Sequence, residues 1–124
     1  MKIRIYYEDT DVGGVVYHSN YLKYCERARS EAFFAKNISP ILNDAHFVVR
    51  KINCDYILPA YFGDIMEVST RIKEIKKVSL LLEHNITVNN KIIFKMEVML
   101  VLANNGKPKR IDDEIRGVIK SIFS

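Results

Sequence analysis

The chain has 124 residues and a mass of 14.4 kDa, of which 48% are hydrophobic and 27% charged. This composition is typical of a globular protein rather than a disordered one, and the length predicts a single domain over residues 1–124. No run approaches the roughly 20 apolar residues of a transmembrane helix, and the amino terminus becomes acidic too early for a secretory signal. We therefore expect a cytoplasmic protein without a transmembrane segment.

The net charge of +4 comes from 19 basic and 15 acidic residues. The basic residues are scattered, so the charge describes either an ordinary solvated surface or one that attracts an anionic ligand. We expect no nucleic-acid partner. The two cysteines, Cys25 and Cys54, form no C-x-x-C motif, so the sequence suggests neither a disulfide framework nor a zinc site. No cofactor is expected.

The first predicted elements are a strand, a loop and one long helix. Residues 2–7 alternate between basic and apolar side chains, which predicts a strand. Residues 8–18 contain three acids and two glycines, which predicts a loop. Ser19 and Asn20 are both acceptable N-caps for a helix. Apolar residues recur at helical spacing after them, which predicts that the helix reaches about Lys36. Pro40 prevents any continuation.

Four strand-like runs and a short helix follow. Apolar and polar residues alternate over residues 51–56, 66–73, 78–88 and 93–102. The second to fourth of these runs are joined by Lys76-Lys77 and Asn89-Asn90, which are long enough only for antiparallel hairpins. A further turn is predicted at residues 104–106, and apolar spacing behind Asp112 predicts a terminal helix.

Together these elements predict an α+β fold in which a five-stranded antiparallel sheet wraps around one long central helix, with a short C-terminal helix. One helix cannot cover both faces of such a sheet. The fourth run carries Ile93, Met99 and Val101 on its second face, and a long exposed edge strand is an aggregation hazard. We therefore predict that a second subunit covers the remaining apolar surface.

The candidate chemistry lies in the loop before the long helix. The sequence contains no G-x-S-x-G, H-E-x-x-H, G-x-G-x-x-G or P-loop motif, which removes support for serine hydrolases, zinc proteases and dinucleotide-binding enzymes. Asp11 and His18 lie between a strand and a helix N-terminus, where unpaired N–H groups and partial positive charge are available. This arrangement suits attack on an acyl carbon, with backbone N–H groups binding the developing oxyanion.

Two stretches carry a family resemblance. The run Y-Y-E-D-T-D-x-G-G-V-V-Y-H-x-N-Y at residues 6–21, followed by E-R-A-R-S-E at residues 26–31, resembles the hotdog-fold thioesterases of the 4-hydroxybenzoyl-CoA thioesterase family. Within that family, the resemblance is to the acyl-CoA thioesterases associated with the bacterial Tol–Pal envelope system. Residues 47–51 and Tyr56 form a second matching patch. The resemblance implies a single hotdog thioesterase domain.

The resemblance also implies a role for three residues. Asp11 corresponds to the catalytic carboxylate, acting as nucleophile or as general base on water, whereas its alternative is a simple turn former. His18 is implied to orient water, protonate the leaving thiolate or act as base, and its backbone N–H to polarise the thioester carbonyl. The alternative for His18 is a histidine bonded to backbone at the helix entry. Tyr7 is implied to position the reacting groups, or else belongs to the core.

Other chemically active side chains are given structural interpretations. Cys25 and Cys54 are interpreted as buried thiols and His84 as a core histidine with satisfied nitrogens, whereas His46 is left without a role. The charged positions of the helix signature, Glu26, Arg29 and Glu31, are interpreted as a structural or interfacial ion network. Nothing in the spacing identifies residues for the coenzyme A phosphates, for which the candidates are Arg50, Lys76 and Lys77.

The predicted function is hydrolysis of an acyl-CoA thioester to a free carboxylic acid and coenzyme A. Two alternatives remain open: the acyl donor is an acyl carrier protein, or the chain is a non-catalytic subunit that binds acyl-CoA in lipid or envelope metabolism. The resemblance implies a homodimer or homotetramer. The acyl-chain preference is not predicted.

Overall fold

The computed structural model describes residues 1–123. The strands are β1 Lys2–Arg4, β2 His46–Tyr56, β3 Ile65–Ile75, β4 Ser79–Val88, β5 Lys91–Asn104 and β6 Lys107–Pro108, and the α-helices are α1 Asn20–Phe34 and α2 Asp113–Phe123. A 3-10 turn at Tyr7–Asp9 separates β1 from the loop that leads into α1. No helix within this part of the chain is long and apolar enough to cross a membrane.

The strands form one antiparallel sheet in the order β1-β3-β4-β5-β2, and the short β6 pairs with β5. The hairpin between β4 and β5 turns at Asn89 and Asn90, whose φ values are 50° and 63°. Asparagine tolerates this left-handed conformation better than most residues, as the sequence predicted. The predicted antiparallel sheet is confirmed, and β6 is an addition because two residues are too few to show a period.

Helix α1 lies against the inner face of the curved sheet. Its buried side chains are Tyr21, Tyr24, Cys25, Ala28 and Phe33, and they join the inward residues of β3, β4 and β5 in one core. Helix α2 extends this layer, because its Phe123 ring meets Phe33 at a centroid distance of 5.7 Å. The predicted arrangement of a sheet around one long helix is confirmed.

One predicted position in the β4–β5 hairpin is corrected. Ile93 is 3% exposed and belongs to the core, so its predicted place on the outer face is wrong. The β4–β5 pairing is irregular between Ile86 and Thr87, which leaves Ile93 without a cross-strand partner and shifts the alternation by one residue.

Ile52 and Tyr56 pair with the buried residues Val98 and Phe94 and so share the inner face, as the alternation over residues 51–56 indicates. They are nevertheless 37% and 49% exposed, because β2 is the last strand of the sheet.

Candidate active site

The loop between β1 and α1 is held in place by Asp9. Its Oδ2 accepts a hydrogen bond of 2.8 Å from the Tyr6 N–H, and its Oδ1 accepts one of 2.9 Å from the Tyr24 hydroxyl of α1. Its carbonyl oxygen accepts bonds from the Tyr17 N–H and the Asn20 side chain. Both carboxylate oxygens of Asp9 are therefore committed to structure, which leaves the chemistry of this loop to its other acids.

Asp11 lies at the tip of the same loop with an exposed side chain. Its Oδ1 accepts a hydrogen bond of 2.8 Å from the Gly13 N–H, and no group within residues 1–123 donates to Oδ2. Backbone hydrogen bonds from the Asp11 N–H to Val15 O and from the Gly14 N–H to Asp11 O close the turn. Asp11 is thus both a turn former and a carboxylate with one oxygen free to react.

His18 marks the entry to α1. Its carbonyl oxygen accepts a hydrogen bond of 2.8 Å from the Tyr56 hydroxyl at the end of β2, and its exposed ring packs beside Tyr17 at a centroid distance of 4.6 Å. Among the described residues, no acceptor takes the backbone N–H of His18. The peptide is therefore anchored on its carbonyl side while its donor remains available.

The first turn of α1 is left uncapped. Ser19 occupies the N-cap position in the right-handed helical conformation, and its side chain makes no capping hydrogen bond. In α2, by contrast, the Ile115 N–H donates to Oδ1 of Asp112 at 2.8 Å. The N-terminal end of α1 therefore retains the partial positive charge and N–H groups that attract an anion.

An apolar cleft of about 320 Å³ opens beside His18. Tyr21 and Tyr56 form its aromatic wall, with ring centroids 5.4 Å apart and an edge-to-face arrangement. The remaining lining residues are Val15, Val16, Ile57, Leu58 and Pro59. A cleft with these walls suits an apolar group next to the N–H of His18.

Tyr7 also lies on this loop, and its surroundings exclude the core position that was one of its two alternatives. It is 79% exposed, and its ring stacks on Phe62 with centroids 4.2 Å apart and planes inclined by 17°. No hydrogen bond within the described chain joins the side chains of Tyr7, Asp11 and His18. All three are exposed on one loop without forming a preassembled triad.

Cys25 and His84 are core residues, as predicted, whereas Cys54, which was also predicted to be buried, is partly exposed. Cys25 is fully buried, and burial raises the pKa of its thiol to about 12, so it stays protonated and unreactive. His84 is fully buried as well, with Nδ1 2.9 Å from Oγ1 of Thr70 and Nε2 3.2 Å from Nη1 of Arg29. Both ring nitrogens have partners, so the core assignment is confirmed.

The structural alternative for the predicted charge network is not found within residues 1–123, and two of the phosphate candidates lie far from the site. The ion pairs of residues 1–123 join β3 to β4 and β5, or join the end of β3 to Lys76, which follows it. None of them includes a charged residue of the helix signature. Lys76 and Lys77 follow the far end of β3, whereas the Asp11 loop contacts residues that precede it, through the bond from the Val16 N–H to Ala60 O. At about 3.3 Å per residue, an 11-residue strand separates them by roughly 35 Å.

Three site residues were not given their roles by the sequence. Asp9 was one of three acids in the predicted loop, and no role was predicted for Tyr24. The spacing of three between Tyr6 and Asp9 is the local signal of a carboxylate that reaches back to a free N–H. No comparable signal exists for Tyr56, which lies 38 residues from His18.

Comparison with known families gives one match over most of the chain. The model of the thioesterase superfamily matches residues 13–91. The acyl-CoA thioesterase YbgC of Helicobacter pylori is 47% identical over 108 residues, which are 86% of this chain and 81% of that protein. The acyl-CoA thioester hydrolase YbgC of Escherichia coli O6:H1 is 37% identical over 111 residues, covering 86% of this chain and 83% of that protein.

Solved structures show the same fold. A thioesterase from Thermus thermophilus, crystallised with coenzyme A and Zn, superposes with a TM-score of 0.85 at 30% identity and covers 97% of this chain and 95% of its own. A probable thioesterase from Bartonella henselae gives a TM-score of 0.84 at 29% identity, covering 90% of this chain and 97% of its own.

Proposed function

Because the chain belongs to the thioesterase superfamily, we propose that it hydrolyses acyl-CoA thioesters at the loop between β1 and α1. The observation that carries this proposal is that one loop presents two available groups. These are the Asp11 carboxylate, which has one free oxygen, and the unbonded N–H of His18 at the uncapped end of α1. The products are a free carboxylic acid and coenzyme A.

The His18 N–H binds the carbonyl oxygen of the thioester. As the acyl carbon becomes tetrahedral, that oxygen gains negative charge, which the N–H and the helix N-terminus stabilise. The bond from Tyr56 to His18 O fixes the orientation of this donor before substrate arrives. One such donor contributes on the order of 100-fold to 1000-fold in rate.

Asp11 starts the cleavage by one of two routes. As a general base it removes a proton from water, and the hydroxide attacks the acyl carbon; as a nucleophile its oxygen attacks directly and forms a mixed anhydride that water then opens. In both routes the carbon–sulfur bond breaks, and the thiolate of coenzyme A leaves with the electron pair and takes up a proton. In this proposal the exposed His18 ring assists this proton transfer, and Tyr7 positions the substrate.

The apolar cleft receives the portion of the acyl group next to the carbonyl. Its aromatic wall of Tyr21 and Tyr56 lies directly beside His18, so an acyl group in the cleft brings its carbonyl towards the free N–H. The cleft is open to solvent along one side, so the coenzyme A portion of the bound substrate can extend from the cleft into solvent.

The active form is a homodimer or a homotetramer. The outer edge of β2 has no strand partner within residues 1–123, and Val48, Val49 and Ile52 along it are 40%, 50% and 37% exposed. Pairing of two such edges satisfies the free backbone groups and covers these side chains.

An acyl carrier protein is the alternative acyl donor. The net charge of +4 favours approach of an acidic carrier. The two donors are compared by kcat/KM on the same acyl group at low and high salt. A carrier preference that collapses with salt favours the carrier, and a preference for acyl-CoA at both salt concentrations excludes it.

The decisive experiment measures release of free thiol over a panel of acyl-CoA chain lengths. Asp11→Asn should lower kcat by at least about 100-fold, the usual scale for a general acid or base. Asp44→Asn is the matched control, because Asp44 is exposed in another turn and its φ of 63° suits asparagine. Wild-type turnover in Asp11→Asn, or acyl-CoA binding without thiol release by the wild type, contradicts the proposal.

A further inference from the structure

A second cavity lies beside the C-terminal half of α1. It has a volume of about 230 Å³, and its walls are mainly apolar, formed by Phe33, Phe47, Leu80, Leu100 and Phe123. Arg29 of α1 also lines it. At 1.5 Å per residue, Arg29 is about 14 Å along the helix axis from Asn20, where the helix begins. The cavity is therefore separate from the cleft beside His18.

Arg29 brings a positive charge to this cavity, and no carboxylate in residues 1–123 forms an ion pair with it. Its hydrogen-bond partner in the described chain is Nε2 of His84, at 3.2 Å from Nη1, and none of the ion pairs there includes it. A guanidinium has five N–H donors. None of the Arg29 nitrogens is both buried and without a hydrogen-bond partner, since among residues 1–123 that description applies to Oδ1 of Asn85. The donors of Arg29 that do not bind His84 therefore remain accessible.

His84 orients this guanidinium without neutralising it. Burial, followed by the charge of Arg29, lowers the pKa of His84 to about 4, so the ring is neutral near pH 7. Its Nε2 then accepts from Arg29, and its Nδ1–H donates to Oγ1 of Thr70 at 2.9 Å. Glu26 lines the cavity but is exposed and forms no ion pair with Arg29.

An uncompensated cation in an apolar cavity is costly unless an anion joins it. Burial lowers the pKa of Arg29, and this loss of hydration outweighs the opposing effect of the Glu26 charge. A bound anion would restore the missing partner and replace cavity water with apolar contacts.

We propose that this cavity binds a monocarboxylate with an apolar body of about seven carbons, its carboxylate on Arg29 and its body between Phe47 and Leu100. The planar guanidinium matches the two oxygens of a carboxylate. Glu26, which lines the cavity and is exposed, repels a doubly charged phosphate more than a monoanion. At roughly 30 Å³ for a water-sized group, the cavity of about 230 Å³ holds about eight such groups, one for the carboxylate carbon and seven for the body.

The same chemistry has two sources. One is a free carboxylic acid, which is the class of product that thioester hydrolysis releases. The other is the far end of an acyl-CoA whose chain terminates in a second carboxylate, and this source rests on the proposed function. Binding by itself does not depend on turnover.

The test titrates octanoate into the full-length protein by isothermal calorimetry, with octan-1-ol as the uncharged probe. Arg29→Gln should weaken octanoate binding at least 10-fold, whereas Arg27→Gln, which removes the same charge from an exposed position on the same helix, should leave it unchanged. Ser30→Leu keeps Arg29 and narrows the cavity that Ser30 lines, so it should also weaken binding if Arg29→Gln fails to fold. The absence of saturable binding to the wild type, or equal affinity in all variants, overturns the proposal.

A kinetic comparison separates the two sources. The ratio of kcat/KM for suberyl-CoA to that for octanoyl-CoA should fall at least 10-fold in Arg29→Gln if the carboxylate is the far end of a substrate. An unchanged ratio, together with lost octanoate binding, identifies the free acid as the ligand. If no thioester is hydrolysed at all, the calorimetric result still decides whether the site exists, so the two proposals fail separately.

Discussion

The ring of Tyr7 stacks on Phe62 with centroids 4.2 Å apart, although both side chains are more than half exposed. The stack joins the Asp11 loop to the segment before β3. The β-bridge between Val15 and Tyr61 is a second contact between the same two segments. An exposed aromatic ring that is held by a single stacking partner has a defined position with its hydroxyl group still accessible.

If Tyr7 positions the reacting groups, removing its partner should reduce turnover. An aromatic pair contributes about 0.5–1.5 kcal/mol, so Phe62→Ala should lower kcat between about 2-fold and 10-fold. Phe34→Ala is the matched control, because Phe34 is 54% exposed against 51% for Phe62 and lies at the other end of α1. Equal kcat in Phe62→Ala and wild type would remove Tyr7 from the site unless Tyr7→Phe independently lowers kcat.

A methyl group at Gly13 should disturb the Asp11 carboxylate. A Cβ there would lie 3.2 Å from Oδ1 of Asp11, closer than an unstrained contact, whereas a Cβ at Gly117 in α2 would meet nothing within 4 Å. We expect Gly13→Ala to lower kcat several-fold, because small displacements of reacting groups are costly. Gly117→Ala should keep kcat and raise the free energy of unfolding by about 0.5–1 kcal/mol. Unchanged kcat in Gly13→Ala would show that the carboxylate position is not critical.

The buried His84 should make the fold less stable in acid. Its pKa is lowered from 6.5 to about 4 in the folded chain, so between these values the unfolded chain binds a proton that the folded chain does not. The free energy of unfolding therefore falls by about 3 kcal/mol as the pH drops from 7 to 4, and none of this contribution is lost above pH 7. Urea denaturation at several pH values should show a smaller fall in His84→Gln, whereas His46→Gln, at an exposed histidine, should resemble the wild type.

The free edge of β2 can be tested by placing a charge on it. Ile52→Lys should shift the molar mass measured by light scattering towards the monomer, because a buried lysine in an edge-to-edge interface is costly. Ile92→Lys is the matched control, since Ile92 is 38% exposed against 37% for Ile52 but lies on β5. A monomeric wild type, or equal masses in both variants, contradicts pairing through β2.

Local patterns were sufficient to predict most of the fold. Alternation over residues 66–73 and 78–88, with turn residues such as Asn89 and Asn90 between runs, predicted the antiparallel hairpins because strand period and turn conformation are properties of neighbouring residues. The period failed at Ile93, where a bulge shifts the register. Ile52 keeps its place on the inner face but is 37% exposed, because it lies on an edge strand. Neither a bulge nor a strand's place in the sheet is encoded within one run.

The sequence alone singled out Asp11 and His18, because one loop carries both before a helix, and the family resemblance added Tyr7. Only the tertiary structure distinguished Asp9, whose oxygens are occupied by Tyr6 and Tyr24, from Asp11, which keeps one oxygen free. It also supplied the bond from Tyr56 to His18 and the contact between Arg29 and His84, across 38 and 55 residues. Hydrogen bonding and burial depend on which distant groups the fold brings within about 3 Å, and no local pattern of residues contains that distance.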